Sequence, residues 1–104
     1  MGLTKDFKES TYARVRRDTA FRKALLMEAV NAYIGGEEGM GKAVLRNFIN
    51  ATIWFEKLSV FTGILSKSLH RMLSPGGNPS TANFFTILRV LQEHVGIQLR
   101  VKAA

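Results

Sequence analysis

The stretch FEKLSVFTGILSKSLHRMLS, residues 55–74, decides how this 104-residue chain reads. Two short segments of helical apolar spacing meet at Thr62-Gly63, and the small Ser59 stands four residues before that glycine. Gly63 can take the left-handed backbone that a sharp turn between helices needs, and Ser59 is small enough for the helices to approach. Phe55 and Leu58 point inward from the first segment and Ile64 pins the turn. In the second segment Ser66 can cap, Leu69, Met72 and Leu73 point inward, and Lys67, Ser68, His70 and Arg71 are left outside. This is the pattern of a DNA-binding helix-turn-helix, whose second helix enters the major groove. An ordinary helical hairpin is the other reading of the same residues.

Outward from this stretch the spacing predicts helix almost everywhere. Thr4 to Arg17 forms a first helix, with Phe7, Tyr12 and Val15 on a weak face and Arg14, Arg16 and Arg17 at its C-terminal end, where cations suit the helix dipole. Asp18 caps a second helix that carries Phe21, Leu25, Ala29, Ala32 and Tyr33, with Leu26, Val30 and Ile34 widening the stripe, and stops at Gly35-Gly36. A third starts in the segment Glu37 to Gly41, places Met40, Ala43, Val44, Phe48 and Ala51 on one side, and ends near Thr52-Ile53. Pro75-Gly-Gly-Asn-Pro79 must be a loop. Ser80 or Thr81 caps a last helix with Phe84, Ile87, Leu88, Leu91 and Val95 inward, ending at Gly96. Ile97 to Lys102 then alternates strictly, which predicts a short β-strand. Such a strand must pair with the N-terminus, with its copy in another subunit, or with a partner. The expectation is one all-α domain with two N-terminal helices and a short C-terminal β-strand: residues 1–36 an N-terminal helical extension, residues 37–104 the helix-turn-helix core plus the strand.

Charge points the same way. The net charge is +7, and it is uneven: residues 1–38 hold seven Lys/Arg against six acids, residues 39–104 eight against two. A cationic surplus confined to one region is the footprint of a polyanion-binding module. There is no cysteine, no apolar run approaching the ~20 residues that span a bilayer, and no secretory h-region, so a cytoplasmic protein without a membrane role is expected.

Thr62-Gly-Ile-Leu-Ser-Lys-Ser-Leu-His-Arg-Met-Leu-Ser-Pro-Gly-Gly-Asn-Pro-Ser80, followed by Leu88-Arg-Val-Leu91 and Gly96-Ile-Gln-Leu99, resembles the addiction-module antidote branch of the lambda-repressor-like (XRE-type) helix-turn-helix regulators. The resemblance covers roughly Ala43 to Leu99, and Leu-Ser-x-x-Gly-Asn-Pro is its sharpest part. It implies a compact five-helix DNA-binding core, homodimeric operator binding and transcriptional repression. In some relatives it also implies neutralisation of a small ribonuclease-type toxin, so an antitoxin that autoregulates its operon is an alternative. The pattern places Ser66, Lys67 and Arg71 at base-facing positions on double-stranded DNA, with Ser68 and His70 beside them. Lys57, Ser74 and Asn78 stand where phosphates would lie, and Ser59, Gly63 and Ile64 build the turn. Arg71 leads for specificity because a guanidinium forks onto guanine O6 and N7. From another class, the chain reads as a protein-interaction module using its strand for β-addition.

Enzyme chemistry finds little footing, and neither a catalytic residue, a cofactor nor a metal is expected. Gly36-Glu-Glu-Gly-Met-Gly-Lys42-Ala43 fits G-x-x-x-x-G-K but lacks the hydroxyl residue that binds Mg²⁺, sets two carboxylates against the phosphates, and follows a helix where a strand is needed. There is no G-x-S-x-G elbow. His70 and His94, without paired carboxylates, make a poor zinc site. The cluster Arg14, Arg16, Arg17, Arg22, Lys23 reads as a solvated face, with a second phosphate stripe as the alternative.

Overall fold

The structure, a computed structural model, describes residues 5–104 and the side chains of residues 11–104; Thr4 and the side chain of Phe7 lie outside these. Among the described residues there are six helices: α1 (Lys5–Arg17), α2 (Thr19–Ile34), α3 (Glu38–Ala51), α4 (Trp54–Thr62), α5 (Ser66–Met72) and α6 (Thr81–Val95). No strand is present among them, and no helix is long and apolar enough to cross a membrane.

Local chemistry explains most boundaries. Asp18 caps α2, its carboxylate accepting from the Phe21 N–H at 3.0 Å. Ser80 caps α6 in the same way, accepting from the Asn83 N–H at 3.1 Å. Gly63 closes α4 with a left-handed φ of 74°, a conformation a side chain there would resist. The α3–α4 link is only Thr52 and Ile53, and this tight reversal holds the exposed Trp54 at φ 69°, a left-handed backbone that a bulky residue rarely adopts. Arginines on both sides of the α1–α2 junction are partly used inside the fold. Arg22 donates to the Val15 and Arg16 carbonyls at 3.0 Å each, and Arg14 lies 4.1 Å over the Phe21 ring. The two Arg22 bonds satisfy carbonyls that the end of α1 leaves open.

One buried cluster joins α2 to α6: Leu26 and Ala29 from α2, Leu45, Phe48 and Ile49 from α3, Phe55 and Leu58 from α4, Leu69 from α5, Leu73 just beyond it, and Ile87 and Leu91 from α6. Helices α2 and α3 approach closely at Gly41. A Cβ built on Gly41 would stand 2.7 Å from the Tyr33 ring and 3.1 Å from the Ala29 carbonyl oxygen. Tyr33 is held there against Phe84, ring centroids 4.5 Å apart, and burial raises its hydroxyl pKa above the ordinary value.

Three expectations need correction. The inward stripe of α3 is Leu45, Phe48, Ile49 and Ala51 with Gly41 and Lys42, not the stripe through Met40, Ala43 and Val44. Met40 is exposed and Ala43 and Val44 are only half-buried; a lysine on the true stripe disguises it. Ser66 does not cap α5: Leu65 occupies the cap position, without a side-chain bond. Residues 97–104 form no strand. The alternation is a burial pattern only as far as Leu99, because Ile97 and Leu99 pack onto the core while Gln98 and Arg100 face out, and Val101 is fully exposed. The Leu99 N–H donates to Gln92 Oε1 at 2.7 Å, so a side-chain amide of α6 supplies a bond that a neighbouring strand would have made.

Two measurements check this fold. The Phe21 N–H bond, with Arg14 adding to it, lowers the Asp18 pKa below its ordinary 3.8. A depressed carboxyl pKa stabilises the folded state above the unfolded value and loses that contribution as pH falls through the folded one. Asp18→Ala should therefore lower the thermal midpoint at neutral pH, with the gap from wild type closing as the pH drops below about 4. Gly39 and Gly41 should part company in urea unfolding. Gly39→Ala meets open space and should stabilise by about 0.4–1 kcal/mol. Gly41→Ala should cost about 1–2 kcal/mol, overpacking against Tyr33 outweighing the helix-propensity gain.

Candidate nucleic-acid interface

The surface in question is the outer side of α5 and the loop that follows it. The inner side is fixed by burial, with Leu69 and Leu73 fully inside and Met72 and Ile64 packed against the core. A helix with that face inward has no freedom to rotate about its axis. Lys67, His70 and Arg71 are consequently exposed, and Ser66 and Ser68 are half-buried at the edges of the helix. His70 is the most constrained of these. Its ring stacks on Phe55 of α4, with centroids 3.9 Å apart and planes 23° from parallel. His94 stacks in the same manner on Phe61, at 3.7 Å.

The turn is tied from within. The Gly63 N–H donates to the Ser59 carbonyl at 2.9 Å, Ser59 Oγ donates to the Ile64 carbonyl at 2.6 Å, and the Ile64 N–H donates to Thr62 Oγ1 at 3.2 Å. Ser59 thus contributes a hydrogen bond across the turn in addition to its small size, something an alanine could not do.

The far end of α5 is held by α3. Lys42 is 4% exposed, and its ammonium donates to the Gly77 carbonyl at 2.5 Å, the Pro75 carbonyl at 3.3 Å and Asn78 Oδ1 at 3.4 Å. An ammonium has three donors, and all three are used. One helical turn further on, Arg46 Nη1 donates to the Leu73 carbonyl. Ser74 Oγ completes the end by donating to the Arg71 carbonyl at 2.6 Å. Carbonyls at a helix C-terminus carry the negative end of the dipole, so cations are the favourable partners for them. The loop sits so close beneath α5 that a Cβ on Gly77 would lie 2.0 Å from the Arg71 carbonyl oxygen. Only glycine fits between loop and helix.

The eight positions read from sequence therefore fall into three groups. Ser66, Lys67, Ser68, His70 and Arg71 share one short helix. Ser74 and Asn78 lie in its C-terminal turn and loop, Ser74 donating to the Arg71 carbonyl and Asn78 accepting from Lys42 of α3. Lys57 is exposed on α4. Lys42 and Arg46 were not legible as parts of this surface. The available signal was a lysine three residues before Leu45 and seven before Ile49, on the most apolar stripe of α3. The phosphate-loop look of residues 36–43 dissolves in the same geometry: Gly36 turns the chain at φ 83°, Gly41 lets α2 and α3 meet, and Lys42 grips carbonyl oxygens. Among the described residues no group of three or more His, Cys, Asp or Glu is placed to hold a metal.

No family model matches this chain, nor does any curated protein or solved structure.

Lys42→Met should lower the unfolding free energy by about 1–2 kcal/mol, since two partly buried carbonyls lose their donor. Urea denaturation reads the loss, and limited proteolysis should show faster cleavage within residues 75–79.

Proposed function

We propose that the chain is a sequence-specific double-stranded DNA-binding regulator of the XRE-like helix-turn-helix type, acting as a repressor. In this reading α5 lies in the major groove. The observation that carries it is the α4–turn–α5 unit: two short helices joined by three residues with a left-handed Gly63, the second exposing Lys67, His70 and Arg71 while its other face is locked into the core. The dimensions agree with this role: an α-helix with its side chains is about 10–12 Å across, and the major groove, about 12 Å wide, admits it.

Roles follow from chemistry. Arg71 presents a fork suited to guanine, Lys67 a point charge for a base edge or phosphate, and His70, braced by Phe55, a ring edge in a fixed position. Lys57 on α4 faces the strand backbone and contributes affinity without information. Because one such unit covers a small patch of duplex, the active form is a homodimer spanning half-sites about one helical turn apart.

Binding to the operator recovered by selection from random duplexes tests the reading. Arg71→Ala should cost about 1–3 kcal/mol on the operator and little on random duplex, whereas Lys57→Ala should weaken both alike and reduce the salt slope by about 1. If both variants bind as wild type does, α5 is not the reading helix.

A further inference from the structure

We propose that the cleft between α2, α6 and the C-terminal tail is a binding site for a small amphipathic anion, an apolar chain or ring that carries a carboxylate. The cleft has a volume of about 600 Å³, inside the roughly 300–1,000 Å³ typical of small-molecule sites. Val30, Leu88 and Leu99 form its inner wall. Around them stand large apolar side chains that the fold leaves uncovered: Met27 at 51% exposure, Ile34 at 73% and Phe85 at 61%. Apolar side chains gathered on one concave face mark a binding surface more than a random exposed residue does.

The polar part of the lining is cationic. Arg89 comes from α6, and Arg100 and Lys102 from the tail; no carboxylate lines the cleft. The Leu99 N–H bond to Gln92 Oε1 fixes the tail as far as Leu99, which brings the two tail cations to this cleft. Among the described residues none of the three is held in an ion pair. Three cations without counter-ions beside an apolar wall are complementary to an anionic head on an apolar body.

The same charge pattern selects among occupants. A second copy docked symmetrically would set cleft against cleft and bring six cations together without a carboxylate from either lining. A stable protein interface buries on the order of 1,000 Å² or more, whereas this cleft is bounded by two helices and four tail residues. None of the residues assigned to DNA lines it, so the site stands or falls independently of that reading.

Calorimetric titration of the full chain with decanoate, and in parallel with decanol, tests the proposal. Decanoate should bind at least about tenfold more tightly than decanol, equivalent to about 1.4 kcal/mol. The triple variant Arg89→Gln/Arg100→Gln/Lys102→Gln should remove that preference while leaving decanol binding unchanged. Met27→Glu, at an exposed position and with circular dichroism checking that the helix is kept, should abolish decanoate binding. Equal affinity for acid and alcohol, wild-type behaviour of both variants, or no decanoate binding would each overturn it. So would a concentration-dependent dimer that Met27→Glu dissolves, which would assign the cleft to a second copy.

Discussion

Lys42 and Arg46, two cations of α3, hold the carbonyls at the end of α5 and in the loop behind it, and the presentation of α5 depends on that grip. A seven-residue helix is too short to be stable by its own hydrogen bonds. It persists here because Leu69 and Leu73 are buried beneath it and because Leu73, Pro75 and Gly77 give their carbonyls to α3. Burying a lysine is costly unless each of its donors is matched. The match is made by two main-chain carbonyls and one amide oxygen, so the loop and the charge stabilise each other.

This grip alters how the charge surplus is understood. Eight basic residues follow residue 38, but two of them face inward and serve the fold. The field at the surface comes from the rest, and these divide by place. Lys57, Lys67 and Arg71 lie on α4 and α5, while Arg89, Arg100 and Lys102 gather at the cleft on α2, α6 and the tail. A net charge read from composition joins two patches that the fold separates, with different ligand chemistry proposed for each.

Much of the fold was legible in the sequence because its signals are local. Asp18 and Ser80 cap helices, Gly63 and Gly96 end them in the left-handed conformation, and the proline-glycine loop interrupts them. The misreadings arose where a residue answers to a distant part of the chain. Lys42 broke the apolar stripe of α3 because its partners lie 33 to 36 residues away, and so the stripe through Met40 and Val44 looked better. The tail alternates as a strand does, yet its alternation records packing against α6, with Gln92 standing in for a strand partner. In the candidate interface, the exposure of Lys67, His70 and Arg71 on α5 followed from periodicity alone, while Ser68, expected outside with them, is half-buried. The stacking of His70 on Phe55 and the clamp from α3 needed the tertiary fold.

The most direct test of the central claim, that α3 and the core hold α5 outward to meet DNA, is a nuclear magnetic resonance titration of the isotope-labelled chain with its selected duplex. The expected result is that amide shifts concentrate on residues 66–78, with Lys57 at the margin and the α2–α6 cleft unmoved. Shifts centred on the cleft, or spread evenly over the surface with α5 no different from the rest, would contradict it.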